Sequence, residues 1–509
     1  NTGRIVPVYP LTEKLSQRTM RSIIFHTLQA ETALPEVLPA ELIAAHNFPE
    51  RGRALSALHF PENMAAADQA RRRLVFEELF LLQVALLRQR QQVLAAEKEH
   101  RCGPDGAKVR ALRAQLPFAL TPAQERAWRE VAQDMESPYP MQRLLQGDVG
   151  SGKTVVAALA LAKAAENGLQ GVLMAPTEIL AEQHYLNLRE LYAAVGLEVA
   201  LLTGSLKKEE RLRRLKAVAE GKVAVVVGTH ALIQDEVSFR RLGLVVIDEQ
   251  HRFGVRQRGL LQAKGKSPDV LVMTATPIPR TLALTLYGDL DLTVINALPP
   301  GRQPVKTIWL RPTERGRVYR FVRTEIEKGR QAYFICPLIE ESEQLAAQAA
   351  IKLAEELRAV FPAFRIGLLH GRLKLEERQK IMAAFRRNEV QLLVSTTVIE
   401  VGVDVPNATI MVILDADRYG LAQLHQLRGR VGRGEHASYC ILIAERTTPE
   451  AAARLKALTT LKDGFTLAEE DLRLRGPGEF FGTRQSGLPE LKIANLLRDH
   501  ALLELARTE

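Results

Sequence analysis

The stretch Arg143-Leu144-Leu145-Gln146-Gly147-Asp148-Val149-Gly150-Ser151-Gly152-Lys153-Thr154 decides how this 509-residue chain folds. Residues Gly147–Thr154 (GDVGSGKT) match the pattern G-x-x-x-x-G-K-[ST] at every fixed position. The apolar run before them reads as a short buried strand. Thr154–Ala162 (TVVAALALA), closed by Asn167-Gly168, reads as a helix. A glycine-rich turn between strand and helix exposes successive backbone N–H groups and the positive end of a helix dipole, which together bind polyphosphate. In such a loop Gly147, Asp148, Val149, Gly150, Ser151 and Gly152 surround the phosphates. Lys153 reaches the β- and γ-phosphates, and the Thr154 hydroxyl holds Mg2+. A chance glycine-rich turn would not carry strand and helix on its two sides, so the chain is expected to bind a nucleoside triphosphate.

Composition bounds the rest. At 509 residues the chain has room for about three or four domains. Lys and Arg number 69 against 59 Asp and Glu, a formal net charge of +10. That balance favours a polyanionic partner, although many basic proteins bind no nucleic acid. Cys102, Cys336 and Cys440 are odd in number and scattered, which argues against a disulfide framework or a zinc site and for a reducing cytosol. The sequence shows no secretory pattern and no uncharged apolar run long enough for a membrane span, so no membrane partner is expected.

Residues 1–20 open on the strand-like Arg4–Tyr9 and are expected to be the tail of an upstream domain. Residues 21–114 read as a helical linker. Its best stretch runs from Pro61 to Leu87 with apolar residues at three- and four-residue steps, and Cys102-Gly103-Pro104-Asp105-Gly106 breaks it. Over 115–298, candidate strands Gly171–Pro176, Val223–Thr229, Leu242–Glu249 and Val270–Thr276 alternate with helical stretches. After Pro299-Pro300-Gly301 the pattern repeats over 299–449, with strands expected at Gln331–Pro337, Arg365–His370, Val390–Thr397, Ala408–Asp415 and Ser438–Ala444. Near-continuous apolar strands alternating with helices imply parallel sheets covered on both faces. The expected fold is therefore α/β, with two similar parallel-sheet lobes of which only the first carries the phosphate loop. Residues 450–509 form a C-terminal segment.

Two further clusters bear on chemistry. Asp248-Glu249 closes the apolar run Leu244–Ile247, at the strand end where ligands bind in open α/β sheets. Asp248 can hold Mg2+, and Glu249 can orient or deprotonate an attacking water. Neighbouring acids could also cap a helix, but beside a phosphate loop the catalytic reading prevails. In the second block Gln426-Leu427-Arg428-Gly429-Arg430-Val431-Gly432-Arg433 gathers arginines. A guanidinium inserted at a γ-phosphoryl group stabilises the charge that grows there in the transition state. Supplied from a second lobe, Arg430 and Arg433 would make hydrolysis depend on closure, whereas the plainer reading is a solvated basic helix.

In their order along the chain these blocks resemble the superfamily 2 helicases and translocases. Gln124, in Leu120-Thr121-Pro122-Ala123-Gln124, matches the adenine-reading glutamine of that family. Ala175-Pro176-Thr177, Thr203-Gly204, Gly228-Thr229-His230, Thr274-Ala275-Thr276, Leu369-His370-Gly371 and Ser395-Thr396-Thr397 match its remaining blocks. The resemblance implies two RecA-like lobes that use ATP and Mg2+. It places Thr177, Gly204, Thr229, His230, Gly371 and Thr397 on nucleic-acid backbone, Thr274 and Thr276 in coupling, and Gly402 and Asp404 on nucleotide. Gln426, Arg430 and Arg433 join Lys153, Asp248 and Glu249 as catalytic residues.

Longer strings are similar to a bacterial branch of the family that remodels replication forks and Holliday junctions: Gly3–Glu13, Ala175–Tyr185, Val246–Gln257, Thr274–Leu286 and Thr396–Asn407. In that branch an oligonucleotide-binding wedge domain precedes the lobes, and residues 1–20 would be its remnant. The block Asp471–Gly478 with Gly482–Gly487 resembles a translocation motif, a helical hairpin followed by a loop, in which Arg454 and Gln485 link the two parts. The implied partners are duplex and branched DNA, with a single-stranded DNA-binding protein besides, for a monomeric motor in the bacterial cytoplasm at the nucleoid. The alternative is a duplex translocase resembling the transcription-repair coupling factor, which normally has a second glutamate where this chain has Gln250. A module using ATP only as a clamp, and an RNA helicase, are the more distant readings.

Overall fold

The computed structural model describes residues 5–12, 15–30, 34–94, 97–249, 255–275, 290–297, 303–336, 343–396, 405–445, 448–475, 491–496 and 498–509. The first sheet is built from β1 (Gln142–Gly147), β2 (Gln170–Met174), β3 (Val199–Leu202), β4 (Val225–Gly228), β5 (Leu242–Asp248), β6 (Asp269–Thr274) and β7 (Asp291–Ile295). The second is built from β8 (Val305–Leu310), β9 (Gln331–Ile335), β10 (Ile366–Leu369), β11 (Leu392–Ser395), β12 (Ala408–Leu414) and β13 (Ser438–Ile443). Their orders are β3-β4-β2-β5-β6-β1-β7 and β10-β11-β9-β12-β13-β8, and the pairings in both are parallel. This is the α/β architecture with two parallel-sheet lobes that the alternating pattern implies.

The central strands are buried along their whole length, as β2, β4, β6, β9 and β12 show. Such strands read as continuous apolar runs and were expected. Three strands were not: β3, β7 and β8 carry the alternating or partial burial of outer positions; β7 and β8 mix polar with apolar residues, and β3 is an apolar run of only four residues. One expectation fails outright. Described residues 5–12 form no strand. Pro7 and Pro10 carry no N–H to donate to a ladder, and the segment is held instead by side chains: Gln17 brackets the Tyr9 main chain, and Arg21 Nε donates to the Pro7 carbonyl at 2.8 Å.

The described residues divide into two compact units. One unit draws on Asn1–Gln92 and Pro477–Glu509, the other on Val93–Pro279 and Leu290–Gly476. In the first, the 31-residue helix Met64–Leu94 is the spine. Its Glu78 carboxylate accepts the main-chain N–H groups of Lys492, Ile493 and Ala494, and Arg71 pairs with Asp499 through two bonds of 2.7 Å. The second unit contains both sheets. The segment after Val93, expected to be part of the linker, packs with the first sheet. Lys98 is buried on Asp269 at 3.0 Å and on the carbonyls of Asp134 and Met135, while Glu166 caps the helix Ala107–Gln115 by accepting the N–H groups of Gly106 and Lys108. Helices Pro449–Thr460 and Gly464–Arg475 fall in this same unit.

Candidate nucleotide site

The register of the first sheet sets out the site. Gln146 of β1 is level with Thr274 of β6, and Met273 with Asp248 of β5. The phosphate loop, Thr274 and the Asp248-Glu249 pair thus emerge from three adjacent strands at their C-terminal ends. Gly150 and Gly152 take φ of +76° and +87°, a region that costs glycine nothing and other residues about 1 kcal/mol or more. A Cβ at Gly152 would also collide with the Gln124 carboxamide.

Lys153 is the first residue of the helix Lys153–Glu166, and its Nζ donates to the carbonyls of Gly147 at 2.7 Å and Asp148 at 3.0 Å. Burial pulls its pKa below the ordinary lysine value, against the carboxylates of Glu249, Asp248 and Asp148; the Arg430 guanidinium adds to the depression. A buried ammonium held mainly by two carbonyls has a strong partner to gain in a phosphate. The buried Ser151 Oγ finds no hydrogen-bond partner in the described residues and is a donor available inside the loop. Thr154 follows on the same first turn.

Asp248 is kept ionised. Burial works to raise its pKa, but His184, whose Nε2 lies 2.7 Å from Oδ2, together with the Lys153 charge and the Glu249 N–H, holds it below the usual carboxylate range. For Glu249 burial dominates, the adjacent Asp248 charge adds to it, and the pKa goes up. Glu249 also sits at φ +53°, the left-handed region that a non-glycine residue occupies at a cost. Two neighbouring carboxylates with pKa values driven apart suit two tasks, a permanent anion and a proton acceptor.

Gln124, matched by resemblance to an adenine-reading glutamine, makes two sets of contacts within the first lobe. Its side chain closes a capping box with Thr121, and its Nε2 donates to the Ser151 carbonyl at 2.8 Å. It is buried and braces the loop from outside.

The second lobe reaches the loop through the helix Leu421–Arg428. His425 Nε2 lies 2.6 Å from Asp148 Oδ1, and Gly429, at the helix end, packs against Val149. Arg430 lies within electrostatic reach of both Lys153 and Glu249. Gln426 is half-buried on the same helix, and Arg433 Nε donates to the Gly429 carbonyl at 3.3 Å.

Thr177, Gly204, Thr229 and His230 lie beyond the C-terminal ends of β2, β3 and β4, the half of the rim away from the phosphate loop. Thr177 caps the helix Glu178–Ala193, whose Glu178 accepts the Ser205 N–H beside the exposed Gly204. His230 is exposed, but Thr229 is 1% exposed, so its hydroxyl does not face solvent. Gly371 follows β10 and is exposed. Arg454, on the helix Pro449–Thr460, donates to the Asp417 carbonyl at 3.0 Å. Thr276, Thr397, Gly402, Asp404 and Gln485 lie outside the described residues.

The sequence reading missed His184, His425 and Arg428. His184 stands seven positions after Thr177 in a string already singled out, and His425 directly precedes Gln426.

A phosphate loop, paired acids and a facing arginine on two parallel sheets form the arrangement common to superfamily 2 helicases and translocases. Residues 121–285 match the DEAD/DEAH box helicase family, and 316–435 match the helicase conserved C-terminal domain. Residues 461–509 match the C-terminal part of domain 3 of the ATP-dependent DNA helicase RecG. The chain is 51% identical over 506 residues to the ATP-dependent DNA helicase RecG of Synechocystis, covering 99% of this chain and 61% of that protein. With the RecG of Bacillus subtilis it shares 50% over 511 residues, 99% and 74% of the two chains. A solved structure of RecG bound to a three-way DNA junction superposes with a TM-score of 0.77 at 44% identity, over 98% of this chain and 66% of the other. The chain belongs to the RecG family of ATP-dependent DNA helicases. It spans about three-fifths of the Synechocystis relative and about two-thirds of the junction-bound one.

Proposed function

We propose that this chain is the motor of an ATP-dependent DNA helicase that moves along duplex DNA and remodels branched DNA, migrating Holliday junctions and regressing stalled forks. The observation that carries the reading is the seam itself: the phosphate loop of the first lobe meets the arginine-bearing helix of the second, with Arg430 near Lys153 and Glu249. Lys153 leaves the Gly147 and Asp148 carbonyls for the β- and γ-phosphates. Glu249, whose raised pKa suits a proton acceptor, orients and deprotonates the attacking water. Arg430, with Arg433 and Gln426 beside it, stabilises charge on the γ-phosphoryl oxygens. The Thr154 hydroxyl and the ionised Asp248 are hard oxygen donors suited to Mg2+. No cluster of three acidic, histidine or cysteine side chains exists among the described residues, and Thr154 and Asp248 are the residues that would hold such an ion. An ion held there would supply charge neutralisation to the bound phosphates.

On this reading Thr177, Gly204, His230 and Gly371 hold backbone phosphates, with Thr229 and Thr397 as further contacts, while Gly402 and Asp404 contact nucleotide from the second lobe. Thr274, Thr276, Arg454 and Gln485 couple the site to movement. Backbone contacts carry no sequence information, so tracking is independent of sequence and weakens with salt. The domain-3 match supports this motor over a coupling-factor-like translocase. The proposal extends to a monomer in the bacterial cytoplasm, with a single-stranded DNA-binding protein as partner. No helix among the described residues is long and apolar enough to cross a membrane.

The test is ATP hydrolysis by the 509-residue chain with forked, duplex and single-stranded DNA. Turnover stimulated most by forked or duplex DNA is expected. Hydrolysis indifferent to DNA would overturn the reading.

A further inference from the structure

The group at the seam that the reading above leaves without a task is His425. It is buried, 4% exposed, and its two ring nitrogens have different partners. Arg428 Nη2 stands 2.9 Å from Nδ1. A guanidinium can only donate, so Nδ1 is the acceptor and carries no proton. The ring proton is therefore on Nε2, and it is donated to Asp148 Oδ1 at 2.6 Å. The same carboxylate oxygen accepts the Val149 N–H at 2.6 Å. Arg428 in turn donates to the carbonyls of Leu458 at 2.9 Å, Leu461 at 2.7 Å and Lys462 at 2.9 Å, all at the C-terminal end of the helix Pro449–Thr460. An unbroken chain of hydrogen bonds thus runs from the phosphate loop, across the seam, to the turn before the helix Gly464–Arg475.

The loop end of that chain is poised against nucleotide. Lys153 Nζ is held by the main-chain oxygen of Asp148, the residue whose side chain grips His425. A phosphate that draws Lys153 away removes one of the two partners of the Asp148 carbonyl, the other being the Ser151 N–H at 3.1 Å. The peptide is then held less firmly, and a turn about the remaining Ser151 bond displaces its carboxylate from the ring. We propose that His425 is a positioning residue, a cross-seam latch that opposes phosphate binding and releases the end of helix Pro449–Thr460 when nucleotide fills the loop. Coupling between two sites is reciprocal: if nucleotide loosens the latch, removing the latch tightens nucleotide. The expected size is about tenfold, the scale of one charge-assisted hydrogen bond. The inference rests on the nucleotide site proposed above.

The experiment is equilibrium titration of the 509-residue chain with a fluorescent ADP, in Mg2+ and without DNA, beside thermal unfolding to establish folding. His425→Phe keeps the ring and removes both nitrogens; it is expected to bind ADP about tenfold more tightly. His425→Gln restores a donor near the Nε2 position and is expected to stay close to the unmodified chain. Asp148→Asn weakens the other partner at constant size, carries the test if His425→Phe does not fold, and is also expected to tighten binding. The double variant should add nothing to His425→Phe, because both changes break one bond. An unchanged or weakened affinity in the folded variants, additive effects, or a glutamine variant behaving like phenylalanine would overturn the latch. Unmodified chain that binds no ADP overturns the nucleotide site as well, whereas normal binding without the shift overturns the latch alone.

Discussion

Gly429→Ala separates the stability of a lobe from the closure of the seam. Gly429 ends the helix Leu421–Arg428 at φ −68° and ψ −8°, a backbone that alanine adopts without strain. Judged locally the change is favourable, because alanine has fewer unfolded conformations to lose, and the lobe should gain about 0.4–1 kcal/mol. Across the seam the sign reverses. A Cβ at 429 would stand 2.7 Å from Val149 Cβ and 3.0 and 3.2 Å from its two methyl groups. Carbon atoms settle at about 3.5–4.0 Å, so the lobes must part by nearly 1 Å or Val149 must shift. Val149 lies in the phosphate loop between Asp148 and Gly150, so its movement disturbs the site directly. Overpacking of this kind costs about 1–3 kcal/mol, which corresponds to about a 5- to 150-fold loss of turnover if the closed seam is the one that hydrolyses. The assay pairs steady-state ATP hydrolysis on forked DNA with thermal unfolding. We expect an unchanged or slightly raised Tm together with the loss of kcat. Normal kcat at normal Tm would show that hydrolysis does not need the Val149–Gly429 contact, and the seam would lose its place in the mechanism.

Lys153→Ala should lower ATP turnover by about 10²–10³-fold or more while DNA binding by fluorescence anisotropy is largely kept. Glu249→Gln should slow hydrolysis by about 10²–10⁴-fold and leave ATP bound, so filter-retained ATP in that variant is the check. Arg454→Ala removes the bond to the Asp417 carbonyl and should preserve DNA-stimulated hydrolysis while strand movement, followed by gel on a synthetic fork, is lost. Asp499→Asn tests the other compact unit. Burial tends to raise the Asp499 pKa, but the Arg71 pair outweighs it and holds the carboxyl below the usual aspartate range. The pair is therefore fully stabilising above the ordinary aspartate value and is lost as pH falls through the lower folded value. The variant should be about 1.5–3 kcal/mol less stable to urea near neutral pH, and the gap should close in acid.

The legible parts of the fold were those whose physical requirement is local. A phosphate loop needs Gly150 and Gly152 at positive φ and a lysine on the first helical turn, and those residues stand consecutively. Central strands announce themselves because both faces are buried. The outer strands β3, β7 and β8 do not, since β7 and β8 interleave polar residues with half-buried apolar ones and β3 is a four-residue run buried only at alternate positions. Arg4–Tyr9 misled for the opposite reason: its composition is strand-like, but a strand exists only with a neighbour, and no described segment pairs with it. The candidate site divides in the same way. Lys153, Asp248 and Glu249 are adjacent to their own strand ends. The partners of His184 and His425 lie 64 and 277 residues away, a separation that spacing cannot reveal. Arg428 was visible only as one more arginine in a basic run, and its burial on three carbonyls shows it to be structural.

That distinction bears on how such a seam can work. Arginines that must reach a phosphate gain from being half-buried, as Arg430 and Arg433 are, and Arg430 lies within electrostatic reach of Lys153 and Glu249. An arginine that must carry a displacement has to be rigid at both ends, and Arg428, 6% exposed with four partners, meets that requirement. Tight packing at Val149 and Gly429 leaves little room for gradual adjustment, because a close-packed contact either holds or separates. Buried hydrogen bonds share this property, since a buried donor left half-satisfied costs more than one fully paired. A seam made of one close-packed contact and one buried polar chain therefore favours two arrangements over a continuum. Two discrete arrangements are what a motor needs if each hydrolysis is to yield one movement. If solution measurements on the nucleotide-loaded chain found the lobes graded through intermediate separations, this account of the seam would be wrong even with every catalytic residue correctly placed.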